Sequence, residues 1–175
     1  MPRLEESREA AVLAKVVAWL QDVQNDLSAS RQISDELDGQ PVLLELYMES
    51  YVLSGVYDGE QLSEILQIFL LIWRFHEVFY GHRFPPLTLA LFDQKLQEQH
   101  QWSQDHVGND AATAAFFEHC QPRVLLTYFW MMTVQPSEAM AALPLEERFN
   151  LQLTYMALTA CFQFQREQIF KKQNS

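Results

Sequence analysis

Apolar residues recur at spacings of three and four along most of the chain, the period of an amphipathic helix. Over residues 4–27, Leu13, Val16, Val17, Leu20, Val23 and Leu27 fall on one stripe. Glu5, Glu6 and Glu9 occupy its opening turns, where the helix dipole favours negative charge. Residues 28–30 are expected to end this helix, with a short helical piece over 32–37 stopped by Gly39. Pro41 suits the first position of the next helix, because no backbone donor is needed there. Leu43, Leu44, Tyr47, Met48 and Tyr51 continue the pattern, and Gly55 supplies a stop. Strict alternation fails across Leu43, Leu44, Glu45 and Leu46, which favours helix over strand.

Asp58 and Gln61 have the spacing of a capping box and open a helix predicted over 59–80. The middle of that helix, residues 65–73, is apolar on every side apart from Gln67. A helix of that kind has to be surrounded by others, so it is the predicted centre of the fold. Gly81, Pro85 and Pro86 break the chain, and Pro86 is expected to start a helix reaching about residue 105, with Leu87, Leu91, Phe92 and Leu96 inward. A turn at 108–110 leads into a helix ending at Cys120, and Pro122 interrupts or kinks the chain. Residues 124–134 are very apolar, and there the pattern specifies the element type least. Pro136 and Ser137 begin a short helical turn. Pro144, followed by Glu146 and Glu147, opens a long last helix to about residue 172, where Arg166, Lys171 and Lys172 suit the dipole. The predicted fold is all-α: a compact, single-domain bundle of six to eight helices around 59–80. The helices differ too much in length for a simple four-helix array, which favours an orthogonal or mixed packing.

Composition supports this reading. The chain has 175 residues, the size of one domain, and 49% of them are apolar. Five glycines and seven prolines are too few for a protein of many short strands. The two cysteines, Cys120 and Cys161, sit far apart in apolar segments and read as free thiols of a reducing compartment. The first residues lack the basic-then-apolar layout of a signal peptide, and no apolar run approaches the ~20 residues of a membrane span. A cytoplasmic protein is expected.

Charge sharpens the picture. The net charge is −11, which argues against binding nucleic acid directly or docking on an anionic membrane. It is unevenly spread. Residues 32–73 contain no Lys or Arg but hold Asp35, Glu36, Asp38, Glu45, Glu49, Asp58, Glu60 and Glu64, a local charge of −8 against −3 for the remaining 133 residues. Such a segment would steer a basic protein partner toward it, although a solvated acidic face has the same composition. These eight carboxylates form the candidate partner-binding set.

Motifs for phosphate cradles, serine elbows, zinc helices and paired cysteines are absent, and no cofactor is expected. The candidate metal set is Glu45 and Glu49, four apart on one face, with His76 on the central helix; Glu77 stands beside His76 and His82 just past the helix end. The Glu-x-x-His spacing of dimetal bundles does not occur. His100 and His106, flanking Trp102 and Asp105, are about 600° apart around a helix and cannot share an ion there. Glu118, His119 and Cys120 are adjacent and point in different directions. Aromatics are numerous, with 12 Phe, 6 Tyr and 4 Trp. Phe75, Phe79, Tyr80 and Trp130 are the candidate lining of a pocket for a flat apolar ligand, and Phe84, Tyr128 and Phe129 add to the same aromatic stock. At helical spacing such residues also serve simply as core.

Three functions follow as expectations: an acidic regulatory protein acting on a protein partner, a binder of a hydrophobic or aromatic ligand, and a metal-dependent enzyme. A homodimer through aromatic faces of 124–134 or of the last helix is also compatible with the pattern.

Overall fold

The computed structural model describes residues 2–106, 108, 109, 111, 114, 115 and 120–174. Among the described residues there are helices and no strands. They are α1 (Pro2–Asn25), α2 (Leu27–Leu37), α3 (Pro41–Tyr47) running into a π-helical turn (Met48–Val52), α4 (Gly59–Tyr80), α5 (Leu89–His106), α6 (Arg123–Val134), α7 (Glu138–Ala141) and α8 (Leu145–Gln173). The helix expected over 110–120 lies largely outside the described residues, of which Ala111, Ala114 and Ala115 are helical.

Helix α4 is the axis of the bundle. Asp58 Oδ1 accepts from the backbone N–H of Glu60 and Gln61 at 3.0 and 2.9 Å, and Gln61 Oε1 accepts from the N–H of Asp58 at 2.9 Å. At the other end Gly81 takes φ +71° and returns its N–H to the Glu77 carbonyl, a left-handed cap that favours glycine. Between these ends Ile65, Phe69, Leu71, Ile72, Trp73 and Phe75 are buried over a broad face, while exposed Ser63 and half-buried Gln67, Arg74 and Glu77 share the remaining side. α1, α3, α7 and α8 pack around it, while α5 lies along α8 and α6 bridges α1 and α8. From α8, Tyr155, Ala157, Leu158, Cys161 and Phe162 enter the same core. Phe69 meets Tyr51 and Tyr155 edge-on, and Phe129 of α6 extends this cluster to Tyr155.

Two boundaries differ from expectation, and one element whose type the pattern left open is decided, each for a traceable reason. The first helix stops at Asn25, because Asp26 turns its carboxylate to the N–H of Ser28 and caps a new helix. Residues 28–30 therefore lie inside α2. Pro86 does not start α5. Buried Gln40 donates to the carbonyls of Phe84 and Pro85 at 3.1 and 3.0 Å and accepts from Leu87 N–H at 3.0 Å, which holds that segment outside the helix. The helix begins only at Leu89, with Thr88 accepting from Leu91 N–H. The apolar stretch 124–134 is helix, and its cap comes from far away in sequence: Glu9 on α1, itself buried, accepts from Val124 N–H at 2.7 Å. Burial raises the Glu9 pKa above 4.5 and the backbone hydrogen bonds from Val124 and Arg123 work against that rise. Beside it Arg123 reaches Glu6 at 2.7 Å.

Gln40 is the polar clamp of this architecture. Its replacement in Gln40→Ala leaves a buried N–H and two carbonyls without their partner. The expected loss is about 2–4 kcal/mol in urea unfolding, at the upper end of ordinary substitutions.

Candidate functional site

The eight carboxylates of the base-free segment divide into two groups. Glu36 pairs with Arg74 at 3.2 Å, Asp58 is consumed in the α4 cap, and Glu64 accepts from the Ser137 hydroxyl at 2.6 Å. Arg74, the first basic residue after the segment, also reaches Glu77 at 3.4 Å. Asp35, Asp38, Glu45, Glu49 and Glu60 are exposed. They come from the end of α2, from α3 and its π-helical turn, and from the first turn of α4.

α3 also places apolar side chains in solvent. Its apolar residues are too many for one face: Leu43 and Leu46 turn inward with Tyr51, while Leu44 and Met48, one helical turn apart, stay exposed beside Glu45 and Glu49. In the following turn Leu53 and Val56 are 72% and 62% exposed. Exposed apolar residues therefore interleave with carboxylates along 44–60, without a basic residue among them. The apolar half of this surface was hidden in the sequence, where Leu44 and Met48 look like part of the inward stripe. The offset row 44, 48 was the signal available.

The metal set is not brought together. Glu45 and Glu49 face solvent, whereas His76 is wholly buried in α4. Among the described residues no group of three or more His, Cys, Asp or Glu could hold a metal ion. His76 Nδ1 lies 2.7 Å from the Ile72 carbonyl, so that nitrogen carries the hydrogen and donates. Its Nε2 has no hydrogen-bond partner. The ring stacks on Phe162 at 5.2 Å and touches Phe75, Tyr80 and Phe84. His106 Nδ1 bonds the Trp102 carbonyl and its ring stacks on Trp102, closing the end of α5. Glu118 and His119 lie outside the described residues. Burial pushes the Cys120 thiol up to about 11 and Cys161 up to about 12, so neither is a ready thiolate nucleophile at neutral pH.

The four candidate pocket aromatics also separate. Phe75 and Phe79 stack on each other at 5.5 Å inside the core, with the Arg8 guanidinium 4.5 Å over the Phe79 ring. Tyr80 shares a hydrogen bond with Gln163 at the edge of that core and carries Arg166 over its ring. Trp130 instead lines a cavity of about 670 Å³ between α5, α6 and α8, with Trp102, Leu145, Phe149, Leu153 and Met156.

No family model, curated protein or solved structure matches this chain. The functional reading therefore rests on its own residues. None of its described helices is long and apolar enough to cross a membrane.

The buried imidazole has a measurable consequence. Burial lowers the His76 pKa from 6.5 to about 4, against a smaller upward pull from the Ile72 carbonyl. The unfolded chain therefore takes up a proton near pH 6.5 that the folded chain refuses until about pH 4. The stability tied to the neutral ring is complete above pH 6.5 and falls progressively toward pH 4, by about 3 kcal/mol. Urea unfolding across this window should show that slope, and His76→Leu should remove it. An equal slope in both proteins would refute the assignment.

Proposed function

We propose that this chain is a binding protein that takes a basic, partly apolar protein segment on the surface formed by residues 44–60. The observation that carries the reading is the exposure of Leu44, Met48, Leu53 and Val56 among Glu45, Glu49 and Glu60. Apolar side chains that lose water on association supply the affinity, and surrounding carboxylates supply attraction at a distance and a choice of partner sign. Asp35 and Asp38 extend the negative field. Glu36, Asp58 and Glu64 contribute less, because each is already held by a neighbour. The separate, unpaired thiols support a cytoplasmic setting for this activity.

The probe for this reading is a synthetic amphipathic helix of lysine and leucine, titrated against the full chain at low and moderate salt. Glu45→Lys with Glu49→Lys should weaken it by about tenfold or more, since steering and rim pairing both reverse. Asp93→Lys with Glu167→Lys gives the same net charge from exposed positions on α5 and α8 and should change affinity little. Leu53→Ser with Val56→Ser should weaken binding in high salt as well. Equal losses from the two charge-reversed pairs would reduce the interaction to net charge and sink the proposal.

A second reading, a binder of a hydrophobic or aromatic small ligand, draws support from the cavity beside Trp130. About 670 Å³ with an aromatic and aliphatic lining is of the size that encloses a drug-sized molecule. An anilinonaphthalene dye should then show saturable fluorescence enhancement that Phe149→Glu abolishes. Enhancement that fails to saturate, or survives the substitution, counts against this site.

A further inference from the structure

A second cavity, of about 230 Å³, opens between α4, α6, α7 and α8, and its lining includes one cation, Arg148, and one carboxylate, Glu64. Arg148, Leu151 and Tyr155 of α8 are three and four residues apart and share the helix face that lines it. Met132 of α6 and Met140 of α7 add apolar wall, and Glu64 of α4 adds a carboxylate.

The donors in this lining are under-used. Tyr155 is 4% exposed, and its hydroxyl has no hydrogen-bond partner. Burial holds its pKa well above 10, so the oxygen keeps its proton and remains a donor. Arg148 spends one nitrogen, Nη1, on the Thr133 carbonyl at 2.8 Å, while its buried Nε has no partner. Buried donors without acceptors are costly; these two lie behind the wall of one cavity with less than 1 Å² of accessible surface each, so a side-chain shift opens them to an acceptor from outside. The Glu64 carboxylate bonds only the Ser137 hydroxyl, leaving acceptor positions unused. Glu64 and Arg148 form no ion pair with each other, although they line the same space.

We infer that this pocket binds a small zwitterion: a free α-amino acid with an apolar side chain. Its carboxylate meets Arg148 and, once that side chain shifts, the Tyr155 hydroxyl; its ammonium group meets Glu64, and its side chain lies against Met132, Met140 and Leu151. The cavity falls below the roughly 300–1,000 Å³ that accommodates larger ligands, which suits a molecule of this size. A ligand with one charge would pair with one of these two side chains and leave the other as it is. The inference is independent of the acidic surface proposed above.

Calorimetric titration of the full chain with L-leucine and L-methionine tests it, alongside N-acetyl-L-leucine, which lacks the ammonium group, and isoamylamine, which lacks the carboxylate. Saturable binding of an amino acid is expected, with both truncated probes weaker by about tenfold or more. Glu64→Gln should weaken the amino acid to a similar extent and leave N-acetyl-L-leucine unchanged. Tyr155→Phe should weaken it too, yet the unliganded variant should melt no lower than wild type, because the lost hydroxyl had no partner. The proposal is overturned by the absence of saturable binding for both amino acids. It is equally overturned by N-acetyl-L-leucine binding as tightly as L-leucine, or by affinities unmoved in Glu64→Gln and Tyr155→Phe.

Discussion

A helix with so wide an apolar face cannot leave that face in water, and the rest of the structure follows from that constraint on α4. Each large side chain from Ile65 to Phe75 that is withdrawn from solvent contributes about 1.5–3 kcal/mol, so enclosure of that face outweighs any arrangement that leaves it open. The enclosing helices spend their apolar stripes on this task. Their boundaries then matter, because a helix that starts or stops a turn away presents a different face. This is why the polar groups within the core are mostly clamps: Gln40 holding 84–87, Gln61 reaching the Ala139 carbonyl, Glu9 capping α6. His76 is an exception, as are Trp73 Nε1 and the Tyr155 hydroxyl, which also lack partners. His76 occupies a position on α4 where the surrounding rings accept its shape but offer Nε2 nothing, so the fold tolerates it only as a neutral imidazole.

What the sequence made legible was whatever the chain decides locally. Asp58 and Gln61 satisfy each other's backbone across three residues, Gly55 and Gly81 take positive φ, and Pro41 and Pro144 need no donor at a helix start. Each of those signals carries its own physical cause within one turn. What the pattern misread or left open was decided over longer distances. Pro85 and Pro86 are kept out of α5 by Gln40, more than forty residues earlier, and the apolar run 124–134 is capped by Glu9 from the opposite end of the chain. Asp26 was local and still missed, because the apolar stripe runs past it to Leu27 and masks the cap.

The candidate surface was legible in its charge and illegible in its shape. Eight carboxylates without a base could be counted, but the count did not reveal that Arg74, one residue beyond the segment, neutralises Glu36. Nor did it show that Glu64 is bonded to Ser137 and lines a cavity. Both outcomes depend on how α2 and α7 lie against α4, which composition does not encode. The aromatic candidates failed as a group for a related reason. Phe75 and Phe79 satisfy the periodicity of a core and were absorbed by it, whereas Trp130 belongs to a helix whose packing leaves room beside it.

The interleaving of apolar residues with carboxylates along 44–60 also bears on self-association. An isologous dimer brings a patch against its own copy. Here that would set Glu45, Glu49 and Glu60 of one chain against the same carboxylates of the other, with no Lys or Arg in the segment to pair them. Like charges brought together on losing water cost several kcal/mol, enough to offset much of what Leu44, Met48, Leu53 and Val56 would gain. The same surface thus resists its own copy, and the proposed basic partner would not meet that repulsion. A homodimer, where one forms, would use apolar positions that lack this acidic guard, such as Met131 and Val134 on α6 or Phe170 near the basic end of α8.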